Sequence, residues 1–87
     1  MPISHVYDTF AKSSKGRIMH FDVVLEQKNP DIALNSAKKW LATIGETNAV
    51  VNQENCVFCH SAETSEELQQ QINAQGYAIY TMEGCPS

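Results

Sequence analysis

The sequence RIMHFDVVL at positions 17–25 decides the fold, because its residues alternate in character along an extended chain. The apolar side of this strand carries Met19, Phe21, Val23 and Leu25. The other side carries Ile18, His20, Asp22 and Val24. The preceding segment, residues 3–11, is rich in β-forming residues, and the turn between the two segments ends at Gly16. Together they predict a β-hairpin with one face toward the core.

The rest of the chain predicts two helices and two further strands. Asn29-Pro30-Asp31 is typical of a helix start, and Gly45 of its end. Val50-Val51 predicts a third strand. Thr64-Ser65-Glu66-Glu67 has the pattern of a capping box with Thr64 as the N-cap residue. It predicts a helix that runs to about Ala74. Residues 77–82 predict the last strand.

This order, β-β-α-β-α-β, predicts one small two-layer domain over residues 1–87, of the α+β or α/β class. We expect a mixed four-stranded sheet with both helices on one face, because strands joined through a helix run parallel where they are adjacent. A chain of 87 residues is too short for two independent cores.

The charges are unevenly distributed along the chain. All six basic residues lie between positions 12 and 39, whereas residues 46–87 hold six acidic residues and no basic ones. Such a distribution disfavours nucleic acid as a partner, because the phosphate backbone is bound by clustered basic side chains. The sequence shows neither a signal segment nor an apolar run long enough for a membrane, so we expect a cytoplasmic protein. Both a monomer and a homodimer are compatible with the sequence.

The motif Cys56-Val-Phe-Cys59-His60 is the sharpest local signal. One interpretation is a zinc site in which Cys85 is the third ligand and His60 or His20 the fourth. Three buried free thiols would give the same sequence. A redox pair of Cys56 and Cys59 is a third interpretation, but the next helix begins too far along the chain to lower a thiol pKa. Covalent haem attachment is disfavoured, because it requires export.

A second group of polar residues is predicted on the hairpin. If Ser13 lies opposite Arg17, then Phe10 pairs with His20 and Asp8 with Asp22. This register brings Asp8, His20 and Asp22 to one surface, where they can act as acid, base or cation ligand. A shift of one residue would separate them.

Five short blocks of the sequence, taken in order, resemble a family of short bacterial proteins known only as a domain of unknown function. The blocks are Val6-Tyr7-Asp8-Thr9, Met19-His20-Phe21-Asp22-Val23, Cys56-x-Phe58-Cys59-His60-Ser61, Gly76-Tyr77 and Met82-Glu83-Gly84-Cys85. The resemblance implies a small single-domain α/β protein of the bacterial cytoplasm. It implies no particular activity, cofactor or catalytic residue.

Taken together, the sequence favours a small binding or accessory module, with a Cys/His zinc site as its candidate cofactor site, over an enzyme. The alternative is a thiol oxidoreductase that uses Cys56 and Cys59. The sequence gives neither the ligand nor the partner.

Overall fold

A hairpin forms the centre of the molecule. The computed structural model describes residues 2–82, in which β1 (Ile3–Lys12) pairs with β2 (Ile18–Leu25). The Ser13 amide donates to the Arg17 carbonyl at 2.8 Å, and Gly16 takes a φ of +85°, which closes the turn without a steric penalty. The predicted register is confirmed.

Two outer strands complete a sheet in the order β3-β1-β2-β4, where β3 is Cys56–Glu63 and β4 is Ala78–Thr81. All three pairings are antiparallel, so the expectation of a mixed sheet was wrong. The reason is that strands running in the same direction are not neighbours in the sheet. β3 runs in the same direction as β2, but it pairs with β1, on the far side of the hairpin.

The third strand was predicted at the wrong place. Val50 forms only an isolated bridge with Lys12, and a short 3-10 helix follows at Gln53–Asn55. The strand itself contains the whole Cys56–His60 motif, for which no strand was predicted. The Cys-x-x-Cys-His spacing concealed the strand, because it indicates a metal-binding loop as readily as an extended segment.

The helices α1 (Pro30–Thr43) and α2 (Glu66–Gln75) pack on opposite faces of the sheet, so the prediction of one helical face was also wrong. We call the two sides the α1 face and the α2 face. On the α1 face, the helix contributes Ala33, Ala37 and Leu41 to the main core. The strands contribute Tyr7, Ala11, Met19, Phe21, Val23, Leu25 and Ile79. The α2 face holds a smaller cluster of Val6, Val24, Ile72 and Ala78 with Leu68 against it.

The helix ends follow local chemistry. The Asn29 side chain accepts hydrogen bonds from the amides of Asp31 and Ile32 and so caps α1. Ser65, rather than the predicted Thr64, caps α2 by accepting from the Leu68 amide at 3.3 Å. Gly76 ends α2 at a φ of +89°, just past the predicted helix end near Ala74. Within residues 2–82, neither helix has the length and apolar character that crossing a membrane requires.

Candidate functional site

The α2 face is only half covered. Strand residues with even numbers in β1 and β2 project from this face, because successive side chains alternate. The ten-residue α2 covers the end around Val6 and Val24, which are buried. Toward the turn the same face is open, and Phe10 there is 42% exposed. A half-covered sheet face can keep polar groups next to both solvent and a rigid scaffold, so this is where chemistry is to be sought.

Asp8, His20 and Asp22 lie together on the open half. The Nε2 atom of His20 is hydrogen-bonded to Oδ1 of Asp8, and Asp8 lies directly opposite Asp22 in the register. The ring of Phe10 stacks on the His20 imidazole, with centroids 4.2 Å apart and planes 9° apart. Stacking fixes the plane of the imidazole, so the predicted cluster is present and ordered.

The three side chains converge on one point. One potential ligand atom from each of Asp8, His20 and Asp22 lies within 4.8 Å of the others. All three residues are half-buried, and all three stand on the two central strands. Within the part of the chain that the structure describes, this is the group of three that could hold a single ion.

The environment of Asp22 favours its protonated form. Burial raises the pKa of the Asp22 carboxyl, and the neighbouring charge of Asp8 raises it further. The positive charges of His20 and His60 oppose this rise only in part. The side chain of Asp8 also raises the pKa of Asp22 through its proximity as a hydrogen-bonding partner, which is the smallest of these contributions. The two carboxyls repel each other when both are ionised, and a cation placed between them would relieve that repulsion.

Cys56 lies in the core, on the α1 face. Its side chain is 3% exposed, and the Thr9 hydroxyl donates to its sulfur at 3.4 Å. Burial raises the pKa of the Cys56 thiol, and the bond from Thr9 offsets this in part. A buried thiol with a raised pKa is a poor nucleophile, so Cys56 matches the packed-thiol interpretation.

Cys59 is exposed and stands apart from Cys56. Three residues of strand separate Cα atoms by about 10 Å, which exceeds the ~7 Å limit for a disulfide. Both thiols are free. The pairing on which the redox interpretation depends is thus not assembled.

The residues of the predicted zinc site are dispersed. His60 contacts Cys59, whereas His20 belongs to the carboxylate cluster on the central strands. Cys85, the predicted third ligand, lies outside the described residues. Across residues 2–82, the cysteines do not join a histidine in any group of three potential ligands.

Two features of the site were missed from the sequence. One is a bulge in β3: Val6 pairs with His60 and Tyr7 with Phe58, so Cys59 has no partner in the register. The other is a groove of about 250 Å³ between α2 and the sheet, lined by Ser4, Val6, Asp22, Val24, His60, Ala62, Glu63, Leu68 and Tyr80. The apolar run Val23-Val24-Leu25 was a signal that a helix covers the second face of the sheet, because such a run is typical of a strand buried on both faces.

Comparison with known proteins identifies the family of this chain. The chain matches the family model of DUF2024, a domain of unknown function, over residues 1–82. It belongs to this family. The NMR structure of protein NE1680 from Nitrosomonas europaea, a structural genomics target, has 45% identical sequence and a TM-score of 0.85. The match covers 97% of this chain and 99% of that one. The comparison with curated proteins gave no match.

These findings confirm two predictions, the resemblance to a domain of unknown function and the β-β-α-β-α-β order of a small α+β domain. They assign no activity to the family, so function must be argued from the site.

Proposed function

We propose that this member of DUF2024 is a small binding module that holds one divalent transition-metal ion on the open half of its α2 face. Asp8, His20 and Asp22 would be the ligands. The observation that carries the proposal is the convergence of three potential ligand atoms within 4.8 Å on the two central strands. A rigid hairpin holds these atoms in place, so binding needs little reorganisation of the backbone.

The donor set points to the class of metal. Two carboxylates and one imidazole suit Zn²⁺ and its first-row neighbours, whereas Ca²⁺ takes six to eight oxygen ligands. Three protein ligands leave a coordination position for water or for a bound molecule. Phe10 stacks on the imidazole and would keep its ring in the ligating orientation.

The charge of the site supports the same proposal. Two carboxyls face each other across β1 and β2, and the pKa of Asp22 is raised by burial and by Asp8. A dication removes the repulsion between the carboxylates and favours the ionised form of Asp22. We therefore expect apparent affinity to fall as the pH falls, because protons compete for Asp22.

This site differs from the Cys/His zinc site that the sequence suggested. Only His20 belongs to both sets. The carboxylate site is favoured because its ligand atoms already lie together, while Cys56 would have to leave the core to reach an ion.

Calorimetric titration of metal-free protein with Zn²⁺, Mn²⁺ and Mg²⁺ tests the proposal. We expect about one equivalent of Zn²⁺ or Mn²⁺ to bind, and Mg²⁺ to bind far more weakly because it keeps its waters. Asp8→Asn and His20→Gln should each weaken binding by more than about 100-fold, which exceeds the usual loss from residues behind the ligands.

His5→Gln is the matched control. His5 stands on β1 but on the α1 face, where its Nδ1 lies 2.7 Å from the Ser61 hydroxyl. Cys59→Ser combined with Cys85→Ser controls for thiol ligation. Unchanged affinity in Asp8→Asn and His20→Gln, or loss of affinity in the cysteine variant alone, would rule out the carboxylate site.

A further inference from the structure

The bulge in β3 brings two adjacent side chains together. In a regular strand Cys59 and His60 would project to opposite faces. Here Cys59 is the extra residue between the pairs Val6–His60 and Tyr7–Phe58. Its Sγ lies 3.2 Å from Nδ1 of His60. Bulges commonly re-aim a side chain in this way beside a functional site.

The contact joins a nucleophile to a base. The thiol of Cys59 is exposed, and the nitrogen of His60 is within reach of its proton. Asp22 lines the same groove as His60. A thiol in contact with an imidazole is the arrangement that activates cysteine nucleophiles in covalent catalysis.

A binding cavity adjoins this pair. His60 and Asp22 both line the groove of about 250 Å³ between α2 and the sheet. Its walls are mainly apolar, with Val24, Leu68 and Tyr80 among them. The cavity has room for a short apolar chain, and its polar lining includes His60 and Asp22 together with Ser4 and Glu63.

From these observations we infer that Cys59 is a nucleophile that takes acyl groups from small apolar esters or thioesters. The acyl chain lies in the groove. The sulfur of Cys59 bonds to the carbonyl carbon, and the bond from that carbon to the leaving oxygen or sulfur breaks. The thiol proton passes to Nδ1 of His60 and then to the leaving group. The products are S-acylated Cys59 and a free alcohol or thiol.

The test uses p-nitrophenyl butyrate and the full chain carrying Cys85→Ser, in buffer with a chelator. We expect release of one equivalent of p-nitrophenolate and a gain in mass of one butyryl group on the peptide that contains Cys59. Buried Cys56 serves as an internal control and should stay unmodified. Because the chelator removes any metal, the outcome is independent of the metal proposal.

Variants separate a designed site from an exposed thiol. His60→Gln should slow acylation by about 100-fold, the lower end of general-base contributions. Ala62→Trp should fill the groove and raise the butyrate concentration needed for half-saturation, with a smaller effect on p-nitrophenyl acetate. His5→Gln should react like the parent.

The reference is a peptide of residues 56–62 with Cys56 replaced by Ser. Acylation of the protein no faster than that of this peptide would overturn the inference, as would an unchanged rate in His60→Gln. Both comparisons are made on variants whose circular dichroism matches the parent.

Discussion

The two faces of the sheet are built from the same strands but are covered to different extents. On the α1 face, a fourteen-residue helix seals Tyr7, Met19 and Phe21 from water. On the α2 face, a ten-residue helix covers half of the sheet and leaves Asp8 and His20 accessible to solvent. The difference shows that alternate residues of one hairpin supply a sealed core on one face and solvent-accessible polar groups on the other.

The largest effect should come from the sealed face. Phe21→Ala should lower the free energy of unfolding by about 3–5 kcal/mol, because Phe21 is fully buried and contacts Trp40. Phe10→Ala, the matched change on the open face, should cost less than about 1 kcal/mol, since Phe10 is 42% exposed. Urea denaturation measures both. Similar losses would show that the open face is also part of the core.

The next largest loss of stability should come from the residue that anchors α2 to the sheet. Ile72 is the buried residue of this helix, and Ile72→Ala should cost about 2–4 kcal/mol and increase amide exchange in α2 before α1. Ile18→Ala changes the same residue type at a position that is 53% exposed, and it should have little effect. If α1 and α2 were to open together, the two faces would form one cooperative unit instead of two of unequal stability.

The two cysteines of β3 also contrast a buried position with an exposed one, and the expected difference in stability is smaller. Cys56→Ser places a hydroxyl in the core and should cost about 1–3 kcal/mol, whereas Cys59→Ser should change the free energy of unfolding by no more than about 0.5 kcal/mol. Thermal and urea unfolding under reducing conditions provide the measurement. Equal destabilisation by both changes would contradict the placement of Cys59 outside the core.

The smallest effect should be a gain in stability. The folded-state pKa of Asp22 is raised, so the folded protein binds this proton more tightly than the unfolded chain does. Its contribution is most favourable below the unfolded pKa near 3.8 and is lost as the pH rises through the folded pKa. Without metal, Asp22→Asn should therefore stabilise the protein at pH 7, by about 0.2–1 kcal/mol from relief of the cross-strand repulsion with Asp8.

This gain should shrink steadily as the pH is lowered from 7 to 4, which melting curves of the parent and the variant can follow. Glu67→Gln, an exposed change in α2, is the control. A gain that grows toward acid would mean that the pKa of Asp22 is lowered on folding.

The sequence was sufficient for the elements that depend on local chemistry. Alternation gave β2, the turn at Gly16 gave the register, and the register gave the Asp8–His20–Asp22 cluster. Strand adjacency was not predictable, because β3 can add to either side of the hairpin with the same connecting helix. The groove and the Cys59–His60 contact depend on that choice and on a bulge of one residue, so neither could be derived beforehand.

The bulge in β3 also bears on solubility. β3 forms one edge of the sheet, and a long regular edge is a template on which a second chain can add a strand and begin to aggregate. The extra residue at Cys59 interrupts the regular spacing of backbone donors and acceptors, while the opposite edge, β4, is only four residues long. Deleting Cys59 would restore a continuous ladder along β3. The protein would then assemble by pairing this edge strand with a strand of a second molecule.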